Sequence, residues 1–304
     1  MTNYFKIHVN FWTSIVVIIV AMTIIWGWGA SRLILTPRRD DVNTKPSQFN
    51  MSYEDVTFTS TDGIQTIGFF IPGANKKPTV IVLHGYGTNK SDVLTFAEML
   101  NHHRYNVLVF DFRGHGQTKG KCTLGYNETR DLAGAVNYLM TREDIDKNKI
   151  GVLGCSMGAN VAIIGAANDQ RIKAVVADSG FASFEKTVTR FADLFYHLPK
   201  YPFVPPAIWF AELRAGFSAR KADATKYIGH ISPRAVFIIG GVKDTRIPLE
   251  NQEELFREAG EPKKLWIVPK ADHLEARSLW PREYERKVID FFDKYLESSK
   301  NEKQ

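Results

Sequence analysis

The stretch Ile150-Gly151-Val152-Leu153-Gly154-Cys155-Ser156-Met157-Gly158 constrains this chain more than any other. Ile150 to Leu153 reads as a short buried strand. Ala159 to Ala167 is small and apolar enough for a helix laid tightly on a sheet. A serine between them must take strained backbone angles, and its flanking glycines let strand and helix pass without a side-chain clash. Such a turn exposes the hydroxyl and aims the free amides of the helix at a reacting carbon. The bare G-x-S-x-G pattern is weak, because it arises by chance in many proteins. The strand before it and the helix after it make Ser156 the candidate nucleophile.

Beyond this turn the chain alternates strand-like and helix-like runs. Tyr53–Ser60 and Gln65–Ile71 suggest a hairpin about Asp62-Gly63. Strand patterns follow at Thr79–Leu83, Asn106–Asp111, Lys149–Gly154, Lys173–Asp178, Arg234–Gly240 and Leu265–Pro269. Helical patterns lie between or after them at Asp92–Asn101, Asn127–Met140, Leu249–Ala259 and Pro281–Leu296. This predicts an α/β fold: a mostly parallel twisted sheet with helices on both faces and ligands at the carboxyl ends of the strands. One connection is far longer, from Asp178 to Arg234. It is rich in aromatics and prolines, and it reads as an inserted helical cap over about residues 181–228. Most of its aromatics would pack the cap onto the body. The rest would line an entrance suited to an apolar acyl or aromatic group.

The N-terminus carries a separate signal. From Phe11 to Ala30 no residue is charged, about the length of a transmembrane helix. Trp12, Trp26 and Trp28 lie near its ends, where indoles favour a membrane interface. A cleaved signal peptide is the competing reading, with an unusually long apolar region and only a passable cleavage site at Gly27-Trp28-Gly29. The sequence therefore divides into a tail (1–10), a membrane anchor (11–30), a linker (31–50, with Thr36–Asn50 as a polar tether) and one domain (51–304). Lys6 precedes the anchor, while Arg32, Arg38, Arg39 and Lys45 follow it. That count leans towards a single-pass cell-membrane protein with a cytoplasmic domain.

The net charge of +6 invites a nucleic-acid reading. The bases are interleaved with acids and form no run or known nucleic-acid motif, so no nucleic-acid partner is expected. Two cysteines, Cys122 and Cys155, make neither a disulfide framework nor a metal site.

A serine hydroxyl needs a base and a group that orients the base. Among eight histidines, His273 has the right placement: it follows the last strand, on the same sheet edge as Ser156, just before the final helix. His84 reads as a structural residue that bonds loop backbone. For the acid, Asp244 comes first, in the loop after the strand Ala235–Ile239, then Asp178, then Asp272. Two amides would hold an oxyanion. One belongs to Met157, next after the nucleophile, and the other to Tyr86 in His84-Gly85-Tyr86-Gly87.

In this order, His84-Gly85, Gly154–Gly158, Asp244 and His273 resemble the alpha/beta-hydrolase superfamily over about residues 51 to 298. Asp111-Phe112-Arg113-Gly114-His115-Gly116 is similar to the corresponding loop of its serine aminopeptidase-like and monoglyceride-lipase-like group, membrane-anchored bacterial members in particular. The resemblance implies hydrolysis of an ester, thioester or amide through a serine acyl-enzyme, with no metal or organic cofactor. Halide-releasing relatives use an aspartate nucleophile. Here Asp111 is expected instead to hold its own loop, through Arg113 or nearby amides. A small-molecule or lipid carboxylic ester is the expected substrate. The alternatives are a peptidase or amidase, with Glu185, Asp193 or Glu212 receiving an amino terminus, and a non-catalytic binding scaffold.

Overall fold

A computed structural model describes residues 11–297. The tail (1–10), with Lys6, and the last residues (298–304) lie outside the described residues. Eight strands form one sheet: β1 (Glu54–Thr59), β2 (Gln65–Ile71), β3 (Thr79–Leu83), β4 (Asn106–Phe110), β5 (Ile150–Cys155), β6 (Ile172–Asp178), β7 (Ala235–Gly241) and β8 (Lys263–Val268). Their order is β1-β2-β4-β3-β5-β6-β7-β8. β1 and β2 pair antiparallel, β2 joins β4 antiparallel, and every later pairing is parallel.

The central strands are buried on both faces, as their unbroken apolar sequences require. In β3, Ile81 and Leu83 point into one core and Val80 and Val82 into the other. The first core is completed by α3 (Glu128–Thr141), α4 (Met157–Asn168) and Leu255 of α7 (Glu250–Glu258). The second is completed by α2 (Leu94–His102) and α9 (Pro281–Phe292), with the short α8 (Ala276–Leu279) just before α9.

Between β6 and β7 stand the two helices of the cap, α5 (Phe184–Tyr196) and α6 (Lys200–Ala215), followed by three short 3-10 turns. Tyr201 has extended backbone, so α6 is helical only beyond it, and Pro202, Pro205 and Pro206 fall in its early turns.

The N-terminal helix, α1, runs from Phe11 to Leu35, five residues past Ala30. It is long and apolar enough to cross a membrane. Its two ends differ. Residues from Phe11 to Ile25 leave most of their side chains exposed, whereas Gly27, Ser31, Ile34 and Leu35 are buried. The buried stripe lies against α6. A methyl group on Gly27 would sit 2.6 Å from Phe210 Cδ2 and 2.8 Å from Pro206 Cβ, so only glycine allows this crossing. Trp26 Nε1 donates to Phe203 O at 3.0 Å, and Arg214 Nη1 donates to Ser31 Oγ at 2.6 Å while its guanidinium stacks on Trp28. Trp26 and Trp28 therefore meet the cap.

The following segment, read from the sequence as a polar tether, is held along its length. The Leu35 carbonyl accepts from Cys122 N, Arg39 donates to the carbonyls of Gly116 and Thr118, and Ser91 Oγ donates to Thr44 O. Pro46–Phe49 then forms a 3-10 turn. The predicted helix at 92–101 begins instead as a 3-10 turn at Lys90, because Asn89 caps it: Asn89 Oδ1 accepts from Ser91 N and Asp92 reaches back to Asn89 N.

Candidate active site

Ser156 occupies the single residue between β5 and α4, at φ 55° and ψ −117°. An added methyl at Gly154 would lie 2.2 Å from Gly158 O, and one at Gly158 would lie 2.4 Å from Leu83 O. The two glycines are thus what allow α4 to start directly on the sheet. The serine amide donates to Asp178 O, extending the β5–β6 ladder by one bond, so the strained residue is fixed from behind.

His273 lies in the loop after β8, and its Nε2 is 3.0 Å from Ser156 Oγ. Its Nδ1 is 2.8 Å from Asp244 Oδ2, in the loop after β7. Because a carboxylate accepts, the ring proton sits on Nδ1 and Nε2 turns its lone pair to the serine hydroxyl. Asp244 is itself fixed: its Oδ1 accepts from Arg246 N at 3.0 Å and from Ile247 N at 2.7 Å. The structure therefore brings together the three side chains that sequence reasoning chose first.

The two other acids do different things. Asp178 is fully buried and accepts from Tyr284 OH at 2.9 Å and from Ser179 Oγ at 3.1 Å. Burial pushes its pKa up to about 6. Ser179 Oγ in turn accepts from Leu274 N, next to His273. Asp178 thus braces the histidine loop without touching the imidazole. Asp272 Oδ1 accepts from Thr245 N, Thr245 Oγ1 and His273 N, tying the loops after β7 and β8 together. Sequence reasoning missed Ser179 and Tyr284, and no short-range pattern pointed to them. Asp272, the third candidate acid, does not orient the imidazole but bonds nearby amides, as a carboxylate beside a loop histidine often does.

The loop after β3 faces Ser156, with Gly85 packed against it. His84 is fully buried: its Nδ1 donates to Gly85 O at 2.7 Å and its Nε2 accepts from Phe112 N at 3.0 Å. Burial lowers its pKa to about 4, so it stays neutral and joins two loops. Among the described residues, no hydrogen bond to a backbone carbonyl occupies the amide of Tyr86 or Met157. The Tyr86 hydroxyl donates to Leu33 O of α1.

Asp111 holds its loop, but not through Arg113. Its carboxylate accepts from Lys90 Nζ at 2.6 Å in a fully buried pair, and from the amides of Lys90 and Gln117. Arg113 turns the other way and binds Asp62 and Asp131. The guanidinium fork satisfies two carboxylates at once, which leaves the compact ammonium of Lys90 for Asp111.

A cavity of about 390 Å³ opens over Ser156 and His273. Phe191, Phe195 and Phe203 of the cap line it, opposite Tyr86 and Leu124 of the body. Trp26, Ala30, Leu33 and Ile34 of α1 close another side, and Arg38 and Arg246 supply its charged groups. Glu185, Asp193 and Glu212 line no part of it. They are engaged by Lys200, Arg190 and the Ala219 amide respectively. Among the described residues, no three His, Cys, Asp or Glu side chains are grouped to hold a metal ion.

Residues 78–202 match the family model for the alpha/beta hydrolase fold. The uncharacterized protein YqkD of Bacillus subtilis is 30% identical over 243 residues, 79% of each chain. The uncharacterized protein YfhR of Escherichia coli K12 is 29% identical over 248 residues, 79% of this chain and 80% of that one. An esterase of Pyrococcus furiosus is 32% identical, with a TM-score of 0.73 over 86% of this chain and 98% of its own. With this sheet order, a serine turn after β5 and relatives aligned along most of their length, the chain belongs to the alpha/beta-hydrolase superfamily.

Proposed function

We propose that the protein is a serine hydrolase that cleaves carboxylic esters bearing an apolar acyl group, including lipid esters and acyl thioesters, beside a membrane. The observation that carries this is the line Ser156–His273–Asp244, with distances of 3.0 and 2.8 Å, ending in a mainly apolar cavity. The esterase of Pyrococcus furiosus supports it. So does the cavity size, within the range of about 300–1,000 Å³ for small-molecule sites.

In this reading Ser156 Oγ attacks the ester carbonyl while His273 Nε2 takes its proton. Asp244 stabilises the imidazolium and keeps the ring oriented. The amides of Met157 and Tyr86 hold the oxyanion. The alcohol leaves with the proton from His273, and water then releases the acid by the same path. A peptidase with a receptor for a free amino terminus fits less well, because the cap acids are engaged elsewhere and the cavity's charges are arginines.

The helix α1 would be the membrane anchor, uncleaved. Its Gly27 is packed under Phe210 and Trp26 is bonded to Phe203, so removal at Gly29 would strip contacts from the cap. The free part, Phe11 to Ile25, is about 22 Å long at ~1.5 Å per residue, short of the ~30 Å hydrocarbon core. Trp26 to Ala30 would therefore complete the span, and the exposed Tyr201, Trp209 and Leu213 of α6 would meet the bilayer surface.

Labelling of the full chain with a fluorophosphonate, in detergent, tests the chemistry. Labelling and turnover of p-nitrophenyl esters are expected for the wild type, with both lost in Ser156→Ala. Asp244→Asn should fold and lose activity by a factor on the order of 10³–10⁴. An unlabelled but folded wild type would favour the binding scaffold.

A further inference from the structure

The cavity has a wall that the hydrolase body does not supply. On one face of α1, Trp26, Ala30, Leu33 and Ile34 follow one another at helical spacing and line the same space as Ser156 and His273. The chain then continues along that space through Thr36, Pro37 and Arg38. The wall is held in place at several points. Gly27 locks the helix to Phe210 and Pro206, Trp26 Nε1 is bonded to Phe203 O, and Arg214 grips Ser31 Oγ. The Tyr86 hydroxyl, on the candidate oxyanion loop, donates to Leu33 O. A segment needed only to tether the enzyme would require none of these bonds.

We propose that the last third of α1 is part of the substrate site. Trp26, Ala30, Leu33 and Ile34 form the face along which the acyl chain of a single-chain amphiphilic ester lies, and they set the chain length accepted. This rests on the ester-hydrolase reading. Ala30 matters most, because it is the smallest side chain in the wall. It leaves room between Trp26 and Ile34, one turn away on either side, into which a chain can lie.

The wall can be narrowed and widened in opposite directions. Each buried methylene contributes about fourfold to kcat/KM when it finds apolar surface. Replacing Ala30 with a large side chain should therefore penalise long substrates more than short ones, and trimming Leu33 should do the reverse. With the full chain in detergent, kcat/KM is measured for p-nitrophenyl butyrate, octanoate and dodecanoate. The dodecanoate-to-butyrate ratio is expected to fall by about tenfold or more in Ala30→Trp and to rise in Leu33→Ala. A damaged fold cannot move the ratio both ways. Equal ratios in both variants and the wild type would overturn the proposal.

A second measurement does not depend on turnover. Binding of cis-parinaric acid, followed by its fluorescence, is expected to weaken by about tenfold in Ala30→Trp. If the wild type hydrolyses no ester of any length, the hydrolase reading falls, and parinarate affinity alone then decides the wall. Weakened binding in Ala30→Trp supports the proposal, and unchanged affinity overturns it.

Discussion

At the residue scale, two buried groups in the body give the protein opposing responses to acid. Asp178 has a folded pKa of about 6 against an ordinary 3.8, because burial favours its neutral form. The stability it contributes is fully present below about pH 4 and is lost as pH rises through 6. His84 is shifted down to about 4 from 6.5 for the same reason. Its contribution is present above pH 6.5 and is lost as pH falls through 4. The two slopes oppose each other between pH 4 and 6. Asp178→Asn is expected to remove one of them, so the variant should lose thermal stability more steeply than the wild type on acidification from pH 6 to 4. A parallel pair of Tm-against-pH curves would contradict this. The residues of the candidate site were legible because each sits at a strand's carboxyl end in a recognisable loop. Tyr284 and Ser179, which hold Asp178, were not. Tyr284 comes from a helix far along the chain, and Ser179, though next to Asp178, looks like any loop serine in a linear reading.

At the element scale, most strands were legible to within a residue or two, since the buried core strands must be apolar on both faces. The start of α2 was not, because the Asn89 cap draws the first turn into 3-10 geometry before the apolar period begins. The end of α9 also differs: it passes into a π turn at Asp293–Glu297. The α1–α6 crossing joins the N-terminal helix to the cap, and Gly27 is its narrowest point. Gly27→Leu would force a side chain into Phe210 and Pro206 and is expected to cost ~1–3 kcal/mol. A lowered Tm in detergent would register this, while Gly29→Leu, with open space around it, should leave Tm nearly unchanged. Equal effects at the two glycines would show that the crossing is not specific.

At the scale of the whole molecule, the sequence separated an anchor, a linker and a domain, whereas the structure joins the first two to the third. Nothing local could have shown this. The helix is apolar nearly all round, so no stripe marks the side that turns to protein. The residues that receive it, Phe203, Pro206 and Phe210, look like ordinary cap aromatics and prolines. If α1 crosses a bilayer, the full chain should stay with membranes through alkaline carbonate washing. Release into the supernatant would argue for a peripheral helix instead. The continuity of α1 with the cavity also bears on how such an enzyme is handled. Cutting the chain at Met51 to gain solubility is a natural shortcut, and it would remove one wall of the cavity and leave an open trough. Phe203 and Phe210 would be bared to solvent, and Tyr86 would lose its acceptor on the helix. A chain-length profile recorded on that fragment would describe the trough.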